Sequence, residues 1–280
     1  MNVASVRQRS PFRYPGGKTW LIPRIRQWFA HFPRRPAALI EPFAGGAIVS
    51  LTVAFEQLAD GVVMVERDEF VCAVWETILN GTHKILAEKI LNFDVTIESV
   101  QDELMKSGLS REDRAFLTIL RNRVSRGGIL APGSGLMKSG ENGKGIGSRW
   151  YPKTLYNRIM DIAKISDRVQ FFADDGIAFL KRSAHRANVV FFIDPPYTAA
   201  GKKAGRRLYT HYELDHEELF DIAATLQGDF LMTYDSSDEI ETLAREHGFD
   251  TQRIAMKNTH NAEMKELLIS RNLDWIRNLD

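Results

Sequence analysis

The chain has 280 residues, of which 44% are apolar, and a formal net charge of +1. That length and apolar content suffice for a full core in one large domain, or in one domain with an insertion, and a near-neutral balance argues neither for nor against nucleic acid. No segment approaches the ~20 apolar residues of a membrane span, the first residues are polar and basic with no apolar run, and the single cysteine, Cys72, leaves no internal disulfide framework; the expectation is a cytoplasmic protein without a membrane partner.

In chain order, the first informative stretch is Phe12-Arg13-Tyr14-Pro15-Gly16-Gly17-Lys18, an aromatic pair, a two-glycine turn and a lysine that opens a helix over residues 19–29. Such a turn can set backbone N–H groups and an ammonium beside an anion. The run from Ala37 to Glu41 reads as a strand that enters the turn Pro42-Phe43-Ala44-Gly45-Gly46, followed by a helix over residues 48–58 with Gly61 as its stop. Glycines at that turn let backbone approach a ligand, although the Gly-x-Gly-x-x-Gly dinucleotide spacing is absent. A second strand, Val62 to Val65, ends in Glu66-Arg67-Asp68. An acid about twenty residues past the glycines is where a nucleotide-binding α/β unit holds ribose hydroxyls. Alone, Glu66 would merely end a strand; after a glycine turn it reads as a ligand-binding residue. Cys72 lies in an apolar helical setting and reads as a buried structural thiol rather than a nucleophile.

From Gly81 to Arg123 the apolar spacing is helical, through Ile85, Leu86 and Ile90 and then Ala115, Phe116, Ile119 and Leu120. Residues 125–147 are rich in Gly, Ser and Lys. Between Arg111 and Arg158 ten Lys/Arg face three acids, which marks a basic surface. The division expected is an α/β domain formed by residues 1–80 and 165–280, interrupted by a helical insertion at 81–164. The α/β pattern resumes with Val169 to Ala173, which ends in Asp174 and Asp175.

The run Val189 to Ile193 is a charge-free buried strand, and Asp194-Pro195-Pro196-Tyr197 follows it. Two prolines must end the strand's hydrogen-bond ladder. A carboxylate, a rigid carbonyl and an aromatic ring then lie together at the strand's end. This trio suits methyl transfer onto an aromatic exocyclic amine, a poor nucleophile that two acceptors would draw towards tetrahedral geometry as its positive charge develops. Beyond it, Lys202, Lys203, Arg206 and Arg207 occupy a glycine-punctuated loop with no acid from residue 198 to 211. The later helices, one capped by Asp215 and one over residues 237–246 stopped by Gly248, read as scaffold. The seven histidines show no ligand-like spacing apart from His211 and His216, and no metal is expected.

Taken together and in this order, Phe12 to Lys18, Glu41 to Gly46 and Asp194 to Tyr197 resemble the Dam-type DNA adenine-N6 methyltransferases, with their Gly-Gly-Lys amino-terminal motif and Asp-Pro-Pro-Tyr catalytic motif. Phe230 to Ser237 and Lys265 to Ser270 are similar to the family's later strands. The resemblance implies an α/β, doubly wound, mostly parallel Rossmann-like methyltransferase sheet with a helical DNA-recognition insertion. It implies S-adenosylmethionine as cofactor, double-stranded DNA as partner, and transfer to N6 of a flipped adenine. Asp194, Pro195, Pro196 and Tyr197 would be catalytic. Tyr14, Lys18, Pro42, Phe43, Ala44, Gly45, Gly46, Glu66 and Asp194 would line the cofactor site, with Asp175, or failing it Asp174, at the adenine. Arg121, Asn122, Arg123, Arg126, Lys138, Lys144 and Arg149, together with Lys202, Lys203, Arg206 and Arg207, would meet DNA. The stretch Val124-Ser125-Arg126-Gly127-Gly128 departs from the aromatic- and asparagine-containing pattern of GATC-methylating relatives, so the recognised site is left open, as is any restriction-modification role. The alternatives are a methyltransferase acting on RNA or a protein amide, and a catalytically silent DNA-binding module.

Overall fold

The computed structural model describes residues 6–13, 17–130, 134–196, 214–257 and 263–277. Its short apolar runs pair into one seven-stranded sheet: β1 (Ala38–Glu41), β2 (Gly61–Glu66), β3 (Val169–Ala173), β4 (Val189–Ile193), β5 (Asp229–Asp235), β6 (Asp250–Lys257) and β7 (Glu263–Ser270), in the spatial order β3-β2-β1-β4-β5-β7-β6. The first five pair in parallel, and β7 runs antiparallel between β5 and β6. Every residue of β1 and β4 is buried, as expected of central parallel strands covered on both faces. The chain leaves β1 for β2 on one side, while β4 lies on its other side. That reversal is a topological switch point, where open α/β sheets bind ligands outside the carboxyl ends of the strands.

Alternation along each strand divides the core into two layers. Leu39, Met64, Phe192, Leu231 and Leu268 face one side, against α1 (Ile22–His31), α2 (Ile48–Glu56) and α3 (Glu69–Leu79). Ile40, Val65, Phe191, Ile193 and Met232 face the other. There they meet α8 (Gly176–Ser183), α9 (His216–Thr225) and α10 (Asp238–Glu246). A short final helix, α11 (Asp274–Arg277), packs on α1.

The helical pattern from residue 81 onward resolves into α4 (His83–Asn92), α5 (Ile97–Met105) and α6 (Arg111–Val124), and α7 (Pro152–Ala163) follows the basic loop. Leu86, Ile90, Phe116, Ile119, Leu120, Leu155 and Ile159 share one buried cluster with Trp75 and Ile78 of α3. These helices thus grow out of the core on one face of the sheet. Ile85 is 56% exposed, because the buried stripe of α4 runs through Leu86 and Ile90. The basic loop is built from short turns and an isolated pairing of Ser125 with Leu136, and Ile146 and Trp150 anchor it in the core.

Two helix boundaries differ from the sequence expectation. The helix after the glycine turn ends at Glu56, where Gln57 takes a left-handed conformation (φ 55°); Gly61 opens β2 rather than stopping the helix. The stretch after Lys18 begins as a 3-10 turn (Lys18–Leu21) before α1, whose Pro23 sits in its first turn, where its missing N–H has no helical partner to lose.

Candidate active site

The carboxyl ends of β1, β2 and β4 open onto a cavity of about 710 Å³. Its wall is formed by Pro42 to Ile48, Glu66 to Asp68, Asp175 to Ile177, Lys18, Asp194 and Pro196, and by Arg123, Tyr151 and Arg158 from the insertion.

The glycine turn is fixed from three directions. Ala44 N donates to Val65 O (2.9 Å), Gly45 N donates to Glu66 Oε2 (2.9 Å), and the buried Trp75 Nε1 donates to Gly45 O (2.9 Å). Gly45 has φ 46°, in the left-handed region that a side chain disfavours. Ala47, the residue before α2, offers no side-chain cap. The cap comes instead from the end of β1, where Glu41 Oε2 accepts from Ser50 N (3.0 Å) and satisfies an amide of the helix's first turn. Burial pushes the Glu41 carboxyl up to about 8, against the lowering effect of that bond.

Glu66 accepts from three backbone amides, those of Gly45, Arg67 and Asp68. Desolvation still outweighs these bonds and holds its carboxyl above the usual range. A carboxylate has about four lone-pair sites, so room for a further donor is left. Asp175 caps α8 by accepting from Ala178 N (3.0 Å), pairs with Arg67 (3.2 Å) and lines the cavity. Asp174 pairs with Arg182 and is not part of the wall. Gly176 lies so close to the turn that a Cβ there would sit 2.3 Å from Pro42 O and 2.7 Å from the Phe43 ring. Cys72 is buried; its thiol donates to Glu66 O (3.2 Å), and burial raises its pKa.

On the other side of the switch point, Asp194 Oδ1 accepts from Thr233 Oγ1 (2.7 Å) and pairs with Lys18 Nζ at 3.0 Å. The parallel register that sets Ile193 beside Met232 brings Thr233 next to Asp194. Lys18 Nζ also lies 3.5 Å from Glu266 Oε1. Glu266 stands opposite Asp235 on the antiparallel strand β7, whose first half therefore lies at the carboxyl edge of the parallel strands. Lys18 and Glu266 are each 2% exposed. Burial alone would lower the Lys18 pKa, but Asp194 and Glu266 outweigh it and hold the ammonium above its ordinary value. Burial raises Glu266 to about 7, against the lowering pull of Lys18. Pro195 is buried, and Pro196 faces the cavity.

The structure separates the residues assigned to DNA. Arg126, Lys138 and Lys144 are exposed, and Arg121 is partly exposed. Asn122 is fully buried: its Oδ1 accepts from Arg13 N, and its amide donates to Arg13 O and Gly128 O. Arg123 is also buried and donates to Pro11 O. Arg149 pairs with Glu141 (2.7 Å). Tyr14, Tyr197, Lys202, Lys203, Arg206 and Arg207 lie outside the described residues. Sequence reasoning gave no individual role to Glu41, Thr233, Glu266 or Gly176, and counted Arg158 only within the basic stretch. Of these, Glu41 and Glu266 carried a signal, a carboxylate inside or at the end of an otherwise apolar strand.

A doubly wound sheet whose switch point carries a glycine turn, an acid at the end of the next strand and a cavity of this size is a Rossmann-like nucleotide-binding architecture. Residues 14–106 match the D12 class N6 adenine-specific DNA methyltransferase family. No curated protein matches the chain. Similar solved structures include the rRNA methyltransferase aviRa from Streptomyces viridochromogenes (12% identity, 100% of this chain and 96% of that chain, TM-score 0.43). Another is a precorrin-6y C5,15-methyltransferase from Geobacter metallireducens (8% identity, 88% and 85%, TM-score 0.35). The methyl donor is S-adenosylmethionine, and the wall suits it: carboxylates for hydroxyls and an amino group, and the side chains of Phe43 and Ile177 for a purine ring. Among the described residues there is no group of three His, Cys, Asp or Glu able to hold a metal, and no helix long and apolar enough to cross a membrane.

Proposed function

We propose that this protein is a site-specific DNA methyltransferase that methylates N6 of an adenine flipped out of double-stranded DNA. The observation that carries the reading is that Asp194, held by Lys18 and Thr233, opens into the same cavity as the glycine turn and Glu66. The cofactor supplies an electrophilic methyl group on sulfur.

In this reading, Glu66 and Asp175 accept from the nucleoside end of the cofactor, and Pro42 to Gly46 line its path. Asp194 and the Pro195 carbonyl accept the two hydrogens of the exocyclic amine, which localises the nitrogen lone pair on the side facing the methyl group. As the N–C bond forms, the methyl–sulfur bond breaks and a neutral thioether, S-adenosylhomocysteine, is left; positive charge grows on the nitrogen next to the Asp194 carboxylate, which takes one proton from the methylated amine and passes it to solvent. The base must leave the stack, because an amine held in a duplex cannot meet both acceptors and the cofactor. Tyr197 is assigned to stacking on the flipped base. Residues 81–164 are the assigned target-recognition insertion, with Arg121, Arg126, Lys138 and Lys144 the side chains on its surface.

The test is Asp194→Ala. Transfer to duplex DNA should be lost while cofactor binding stays at the wild-type level; transfer that survives would overturn the mechanism.

A further inference from the structure

Arg123 at the end of α6 and Arg158 in the middle of α7 both face the cavity. Neither forms an ion pair with any described carboxylate. Each has one hydrogen bond, and both bonds go to neighbouring carbonyls of the N-terminal segment: Arg158 Nη1 donates to Ser10 O (2.9 Å), and Arg123 Nη2 donates to Pro11 O. Arg123 is 4% exposed, and its buried Nε has no partner among the described residues. A guanidinium carries five N–H donors in a planar fork matched to carboxylate and phosphate oxygens. Burying one without a counter-charge is costly, and a second beside it adds repulsion. Burial, together with the nearby Arg158 and Arg13, lowers the Arg123 pKa to about 9. Arg13, also on the wall, has Glu141 at 3.5 Å, so the uncompensated charge belongs to the other two.

We propose that Arg123 and Arg158 form an oxyanion-binding subsite in the wall of the cavity, closed by an oxygen anion of whatever occupies it. This rests on the reading of the cavity as the site of S-adenosylmethionine and the target nucleotide, and it offers two sources for the oxyanion. One is the carboxylate of the cofactor's amino-acid end; the other is a phosphate flanking the flipped nucleotide. In either case the helical insertion does more than read DNA from outside, because it contributes charge to the reaction chamber.

The experiment compares wild type with Arg158→Gln and Arg123→Gln. Gln retains a donor for the Ser10 or Pro11 carbonyl and removes the charge. Titration calorimetry would measure affinity for S-adenosylhomocysteine and for its decarboxylated counterpart, and duplex DNA would be titrated over a range of salt concentrations. A carboxylate in the subsite predicts that wild type prefers S-adenosylhomocysteine, and that Arg158→Gln weakens that ligand roughly tenfold while leaving the decarboxylated one unchanged. A phosphate predicts unchanged affinity for both small molecules, with weaker duplex binding and a salt slope smaller by about 0.9. If all three affinities and the slope match wild type, the subsite is overturned while the methyltransferase reading stands. If wild type binds neither small molecule, both fall. Should Arg123→Gln fail to fold, Arg158→Gln decides, since Arg158 is only partly buried.

Discussion

Lys18 Nζ lies 3.0 Å from Asp194 Oδ1 and 3.5 Å from Glu266 Oε1, a buried ammonium between two carboxylates. It ties the start of the chain to the ends of β4 and β7, and it fixes the orientation of the carboxylate assigned to the amine. Replacing Lys18 with Met would leave Glu266 buried beside Asp194 without their shared cation. The expected result is a loss of about 3 kcal/mol of stability, with kcat falling by roughly two orders of magnitude. Adding Glu266→Gln to that variant should restore part of the stability and none of the rate. Urea unfolding and single-turnover transfer measure the two separately.

Thr233→Val keeps the shape of the side chain and removes the donor to Asp194 Oδ1. The partly buried carboxylate then loses one of its holds, and the transfer rate should fall roughly tenfold. Affinity for S-adenosylhomocysteine, measured by calorimetry, should not change.

Gly176→Ala places a methyl group 2.3 Å from the Pro42 carbonyl, so either the turn or the start of α8 must move. We expect a loss of about 1–3 kcal/mol and at least tenfold weaker cofactor binding. Gly135→Ala, where a Cβ meets nothing within 4 Å, is the matched control and should change neither.

Three carboxyls, the buried Glu41 and Glu266 and the partly buried Glu66, have pKa values raised above the usual 4.5. For Glu41 and Glu266, between about pH 4.5 and pH 7–8 the unfolded chain has released the proton while the folded one retains it, and Glu66 acts in the same direction. Stability from these groups is therefore fully present below the unfolded pKa and is lost as pH rises through the folded values. Glu56, Asp113 and Asp250 are shifted down by their cationic partners; their contribution is lost at the acid end instead. Thermal melting should show the melting temperature falling from pH 5.5 to pH 8, and Glu41→Gln should flatten that slope.

The motifs at the ends of β1 and β4 were legible in the sequence because each lies where an apolar run stops, and the chemistry of Gly45 and Asp194 is local. Thr233 was not, and Glu266, marked only as a carboxylate in an apolar strand, could not be matched to a partner, because both reach Asp194 and Lys18 only through strand pairing, including the antiparallel β7 inserted between β5 and β6. Charge counting assigned Arg123 to an outer basic surface, yet it falls on the same helical stripe as Phe116, Ile119 and Leu120, at positions i, i+3, i+4 and i+7. That spacing already placed it inside. Asn122 gave no such warning; its burial follows from the N-terminal segment that its amide clamps.

The most direct measurement of the central claim is transfer of labelled methyl from S-adenosylmethionine to unmethylated duplex DNA, followed by digestion to nucleosides. The account predicts label on N6-methyladenine, lost in Asp194→Ala. Label on another base, or none on DNA from a protein that binds the cofactor, would contradict it.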